Sequence, residues 1–347
     1  MTPLNHHRGV ARCLGAAVLF GASAPAASVL AGDMPTLALA GLLYVGAALA
    51  VLPVFARHRP TVAALRAGGR PLAIAVVFGG AIGPALLVAG LERIPAATAS
   101  LLLNFELVAT VVLAAVVFHE HLGRRLIAAA GLVGLAGVLL VLTPGAALGI
   151  GGLFVVGACV AWGIDNSVTA RIDQLSPEQI TFAKGAVAGT ANLVLSLLVA
   201  ATWQIEIRQI AAALLIGALG YGVSITMWVK GARDLGAARG QVIFATAPFV
   251  GALVSWTLLG ETITAVQAIA VPLAAAGVAL SLRTSHEHAH RHEALEHDHE
   301  HGHDDAHHSH SHSHAEPIAG PHSHRHRHEA VQHAHPHVPD LHHRHRH

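Results

Sequence analysis

Apolar residues run in long blocks through the first 283 positions, with short polar breaks between them. A helix of about 20 apolar residues covers a hydrocarbon core of roughly 30 Å. The pattern predicts ten such helices, at 11–31, 35–56, 71–90, 96–118, 125–142, 150–171, 180–202, 209–229, 238–259 and 264–282. Lipid-exposed backbone must satisfy its own hydrogen bonds, and the blocks lack the alternation of barrel strands, so helices are expected throughout. From His286 the pattern changes: histidine occupies every second position over much of the remaining chain. No apolar face accompanies it, so this stretch is expected to be disordered without a ligand. The fold class predicted is an all-α membrane protein of ten transmembrane helices followed by a disordered histidine-rich tail.

The basic residues orient the helices. Arg8 and Arg12, Arg57, Arg59, Arg66 and Arg70, Arg124 and Arg125, Arg171, Lys230, Arg233 and Arg239, and Arg283 occupy one set of alternate breaks. The other set holds only Arg93 and Arg208. Cytoplasmic loops concentrate Lys and Arg, so both termini and the tail are expected in the cytoplasm, with the chain in the cytoplasmic (inner) membrane. The first apolar run continues to Ala31 and many spans follow it, which favours a retained helix over a cleaved signal.

Composition narrows the classes further. Charged residues make up 12% of the 347, against roughly 25% in soluble domains, so a single soluble globule is a poor fit. Net charge is +1 and no basic face alternates with aromatics, which leaves nucleic-acid binding without support. Cys13 and Cys159 both sit in apolar runs and read as small packing residues. No nucleophile–base set or nucleotide-binding loop is present, so neither an enzyme nor an ATP-driven pump is expected.

The apolar region repeats. Ile94-Pro95-Ala96-Ala97 through His119-Glu120 resembles Leu235-Gly236-Ala237-Ala238 through Gly260-Glu261, with the same spacing from the Ala pair to the Glu. Gly137-Val138 matches Gly277-Val278, and Phe20-Gly21 matches Trp162-Gly163. Each copy holds five spans, an odd number, so the two must cross the membrane in opposite senses. The chain divides into a first repeat (1–145), a second repeat (146–283) and the tail (284–347). Inverted repeats are typical of secondary transporters, with the binding site at the repeat interface.

On the Trp162-Gly163 start and the Leu259-Gly260-Glu261 end of the fourth helix of the second repeat, residues 10–282 resemble the drug/metabolite transporter superfamily, specifically its EamA-type members. The first repeat departs at Phe118-His119-Glu120, where histidine replaces the glycine. The resemblance implies a ten-helix exporter-like fold with a central cavity.

Few ionisable residues fall inside the spans, and a charge at that depth usually faces a cavity or a partner. Glu106 lies near the middle of the fourth helix, Asp165 within the sixth and Lys184 in the seventh. Helical spacing puts Ser100 with Asn104, Glu106 with Thr110, and Asp165 with Thr169, and Asn166 adjoins the last pair. The candidate path for substrate and protons is therefore Glu106, Asp165, Asn166, Asn104, Lys184 and Thr169. The bland reading of the same residues is a buried ion pair of Lys184 with Glu106 or Asp165. Glu92, Glu120 and Glu261 stand at helix ends and read as interfacial or structural. Trp162, Trp228 and Trp256 read as packing or interfacial anchors.

In the tail, the candidate metal ligands are His286, His288, His290 and His292; His297, His299, His301 and His303; His308, His310, His312 and His314; and His322, His324, His326 and His328. Neutral imidazole suits Ni(II), Co(II) and Zn(II), so the tail is expected to bind one of these reversibly, and no tightly bound cofactor is expected. Together these features predict a secondary transporter that exports a small solute, with a divalent nickel or cobalt ion as the leading cargo, exchanged for protons. One alternative is an exporter of an organic metabolite or amino acid with a metal-responsive tail; another is a membrane-tethered metal buffer without flux. The partners expected are the solute and the lipid bilayer, and a homodimer is a further partner that the sequence allows.

Overall fold

Eight helices among the described residues are long and apolar enough to cross a membrane: α1 (His7–Ser28), α2 (Thr36–Arg57), α3 (Gly69–Leu91), α4 (Ala96–Leu113), α5 (Arg124–Val141), α6 (Gly149–Thr169), α7 (Pro177–Val199) and α8 (Ile207–Ala232). Two shorter apolar helices follow, α9 (Ala247–Leu258) and α10 (Ala265–Ser281). The computed structural model describes residues 3–116, 123–142, 146–169, 172, 174–199, 205–235, 240, 243–281, 286–291, 295–301, 322–328 and 332–337. The start expected for α9 at 238 lies largely outside them. Two units can be distinguished, Met1–Thr284 and Ser285–His347.

The first unit is all-helical, and its packing shows the repeat directly. Helix α1 packs on α8 and α9, while α6, its counterpart, packs on α3 and α4. Likewise α2 packs on α8, and α7 packs on α3. The self-equivalent pairs α2–α7, α4–α9 and α5–α10 are also in contact. Exchanging the halves therefore maps these contacts onto one another, as two inverted five-helix repeats require.

Small residues make the close approaches possible, because lipid tails supply no hydrophobic drive between helices and van der Waals fit must do so. Helix α2 is the most enclosed, and its neighbours reach it through glycines. A Cβ on Gly217 would lie 1.9 Å from the Leu43 carbonyl oxygen, and one on Gly185 would lie 2.4 Å from that of Tyr44.

Three of the long helices contain a π-helical stretch: Val76–Ile82 in α3, Lys184–Gly189 in α7 and Ala218–Val223 in α8. Those of α3 and α8 are repeat partners, since Gly79 and Gly220 stand at the same separation as Ala97 and Ala238. A π-turn misaligns backbone carbonyls from their usual donors and is common at functional sites. In α3 other helices supply donors: the Tyr44 hydroxyl (2.6 Å) and the Trp162 indole N–H (3.1 Å) both donate to the Gly79 carbonyl, and the Asn192 amide donates to that of Ala81 (3.2 Å).

The described parts of the tail unit are extended. β1 (His286–Arg291) pairs antiparallel with β4 (Gln332–His337), and β2 (Leu295–His301) with β3 (His322–His328). The composition predicts a tail without fixed structure. The alternating pattern that denies it a core is also one a strand accommodates, and an isolated two-stranded ladder is marginal in water.

Candidate functional site

A cavity of about 790 Å³ lies within the helical unit. All six residues named from the sequence as the candidate path, Asn104, Glu106, Asp165, Asn166, Thr169 and Lys184, stand on its wall. The fold brings them there from three helices. Helix α4 breaks into a turn at Leu103-Asn104, where the Asn104 side chain donates to the Leu101 carbonyl (3.0 Å), and Glu106 follows in the first turn of the resumed helix. Asp165, Asn166 and Thr169 come from the last turns of α6. Lys184 opens the π-helical stretch of α7.

The two carboxylates have different surroundings. Asp165 is 2% exposed. Its Oδ2 accepts from Lys184 Nζ (2.5 Å) and its Oδ1 from the Thr169 hydroxyl (3.0 Å). A buried charge is tolerated when it is paired and hydrogen-bonded, and Lys184 and Thr169 supply one partner to each oxygen here. Gly79 makes room for it: a Cβ there would lie 2.0 Å from Asp165 Oδ2. Lys184 is drawn inward by this contact, with its side chain 17% exposed. Glu106 is only half-buried. Its Oε1 accepts from the neutral Asn166 amide (2.5 Å). Among the described residues no Lys, Arg or His forms an ion pair with it. The paired arrangement thus falls to Asp165, and Glu106 is the carboxylate without a cation of its own. Ser100, placed beside Asn104 by spacing, is buried against Gly251.

Six aromatic side chains complete the wall: Phe20, Tyr44, Trp162, Tyr221, Trp228 and Phe244. Five of them touch in sequence, Tyr44 with Tyr221 (centroids 5.7 Å), Tyr221 with Phe20 (5.8 Å), Phe20 with Phe244 (5.2 Å) and Phe244 with Trp228 (5.8 Å). The Trp228 indole N–H is buried with no partner among the described residues. From the sequence, Trp162 and Trp228 read as packing or interfacial anchors. A usable signal existed for Trp162, which precedes Asp165 by three and Asn166 by four and so shares their helix face. Tyr44 is missed because its partner, the Gly79 carbonyl, belongs to another helix.

The wall extends to Ile172, Leu175 and Pro177 in the α6–α7 region and to Ser281 at the end of α10. That end of the bundle also carries the basic α2–α3 connection, because the Gln179 amide donates to the His58 carbonyl there (2.8 Å). The opposite end is tied by side chains: Glu261 accepts from the backbone N–H groups of Ala96 and Ala97, Thr36 from α2 donates to Glu92, and Gln267 donates to Thr98. Glu92 and Glu261, read from the sequence as interfacial or structural, thus both hydrogen-bond across helices at this end. Glu120 lies outside the described residues.

Among the described residues no group of three or more His, Cys, Asp or Glu side chains stands ready to share a metal ion. In the tail ladders, backbone register sets His286, His288 and His290 opposite His337, His335 and His333, and His297, His299 and His301 opposite His326, His324 and His322. His328 stands opposite Leu295. His292, His303, His308, His310, His312 and His314 lie outside the described residues.

Comparison with known proteins fits this architecture. An uncharacterised protein of Pseudomonas aeruginosa is 29% identical over 242 residues, 69% of this chain and 80% of that protein. An uncharacterised transporter of Methanothermobacter thermautotrophicus is 24% identical over 205 residues, 57% of this chain and 60% of that one. A crystal structure of another protein shares the fold, with a TM-score of 0.56 at 19% identity over 79% of this chain and 96% of that chain. The model of the EamA-like transporter family matches twice, at residues 7–143 and 149–283, once for each half of the pseudo-symmetric bundle. With both repeats matched and the ten-helix interlocked fold in place, the chain belongs to the EamA-like transporter family.

Proposed function

We propose that this protein is a secondary transporter of the inner membrane that exports a small organic solute bearing a positive group, anchored at Glu106. The observation that carries this reading is the half-buried Glu106 carboxylate, whose hydrogen-bond partner among the described residues is the neutral Asn166 amide, on the wall of an aromatic-lined cavity of about 790 Å³. Small-molecule sites are typically apolar clefts of this order with a few placed polar groups. Aromatic faces attract ammonium groups, and a carboxylate adds the opposite charge. Glu106 can exchange the solute for a proton, which couples export to the proton gradient. Asp165, already neutralised by Lys184, positions the α3, α6 and α7 walls around the site.

A second reading, with a divalent nickel or cobalt ion as cargo, is favoured by one observation, the regular histidine alternation of the tail. In that case the tail collects metal in the cytoplasm and hands it to the cavity. Efflux from loaded vesicles tests both readings. Organic cations or zwitterions should leave in a protein-dependent manner that Glu106→Gln abolishes while leaving membrane insertion intact. Normal flux in Glu106→Gln would overturn the anchoring role. Metal export requires lower cell nickel or cobalt on expression, and unchanged contents would remove that reading.

A further inference from the structure

At the end opposite the basic loops, one carboxylate joins the two repeats. Glu261 follows α9, and both of its oxygens accept from the first backbone N–H groups of α4: Ala96 N to Oε1 at 2.7 Å and Ala97 N to Oε2 at 2.9 Å. The first N–H groups of a helix have no partner within it, so an outside acceptor satisfies them and meets the positive end of the helix dipole. The local chain is shaped for this grip. Gly260 adopts φ +69°, a conformation that costs other residues more, and the Glu261 N–H turns back to the Ser255 carbonyl (3.2 Å). Beside the clasp, the Gln267 amide donates to Thr98 of α4 (3.0 Å), while its oxygen accepts from the Thr264 N–H (3.0 Å) and the Trp256 indole (3.3 Å).

The clasp is therefore made while the cavity wall reaches the other end, at Ile172, Leu175, Pro177 and Ser281. Helices α4 and α9 also flank the cavity, through Asn104 and Glu106 on one and Ala247 and Pro248 on the other. Ala96, Ala97 and Thr98 begin α4 at the Glu261 end, and Asn104 and Glu106 stand on the cavity wall further along the same helix. We propose that Glu261 is the latch of the gate at this end: its carboxylate holds α4 to α9 while the cavity is open to the basic-loop end, and it releases when the cavity opens to the other. The proposal rests on the transporter reading, but its first test needs no solute.

The full-length chain with Cys13→Ala and Cys159→Ala carries Leu103→Cys, on the cavity wall, as a reporter. It is placed in oriented proteoliposomes, and a membrane-impermeant thiol reagent is added on the Gly260 face. Glu261→Gln retains the shape but presents one N–H to an amide NH₂ in place of an oxygen. Losing a charge-assisted hydrogen bond of this kind should raise the labelling rate on that face about tenfold. An unchanged rate in a variant with a normal melting temperature overturns the latch. If Glu261→Gln does not fold, a second arm decides. Ala97→Cys with Glu261→Cys, joined by a short reducible bifunctional reagent, should stop vesicle efflux until the link is reduced. Efflux that continues with the link in place overturns the proposal. Failure of the organic-solute reading leaves the labelling result untouched, so the two failures are distinguishable.

Discussion

Lys184→Met leaves Asp165 buried with a charge and, among the described residues, a single remaining partner, the Thr169 hydroxyl. The Asp165 side chain is 3% exposed, so water is a poor replacement for the lost ammonium. Breaking a buried pair from one side costs about 3–5 kcal/mol, because the survivor's desolvation is no longer offset. The reverse variant, Asp165→Asn, should cost less. Lys184 is 17% exposed on a flexible stem and can swing toward water. The double variant Asp165→Asn/Lys184→Met leaves no charge, keeps an acceptor for Thr169 and matches the original volume. It should lie within about 1 kcal/mol of the parent, as neutral replacements of buried pairs often do. Thermal unfolding of the purified protein in one detergent reads all four corners of the cycle. Lys184→Met should lower the midpoint by about 5 °C, since each kcal/mol shifts large domains by a few degrees or less. The double variant should recover most of that loss. Additive losses, with the double variant worse than either single, would show that the two groups are not coupled and would refute the structural assignment of Asp165.

Gly79→Ala places a methyl 2.0 Å from Asp165 Oδ2, so α3 and α6 must part or the carboxylate must leave Lys184; a loss of about 1–3 kcal/mol is expected from overpacking. In an Asp165→Ala background the same change should cost at least about 1 kcal/mol less, and an unchanged penalty in thermal melts would place the clash elsewhere. Nickel binding to the full-length chain should be largely lost on removal of residues 286–347. It should also weaken as pH falls through about 6.5, because only neutral imidazole is a ligand and protonation competes with the metal. Calorimetric titration at pH 7.5 and 5.5 checks this, and equal affinity at both values would exclude imidazole capture.

The sequence by itself determined the ten apolar helices, their division into two copies, and the two carboxylates worth attention. Hydrophobic blocks set helix length directly, and in an apolar chain each ionisable residue is conspicuous. Helical spacing also put Thr169 beside Asp165, since a contact one turn away is local. Spacing could not say which carboxylate Lys184 would choose. That choice depends on how α7 packs against α6, and on Gly79 of α3 leaving space for Asp165. The aromatic ring of the cavity, the donors to the Gly79 carbonyl and the Glu261 clasp were invisible for the same reason. The clasp joins residues 164 and 165 positions apart, and a periodic pattern names the face of a helix without naming what covers it. Only the tertiary structure brought those faces together, and with them came the separation of an Asp165 paired with Lys184 from a Glu106 with no cation partner among the described residues.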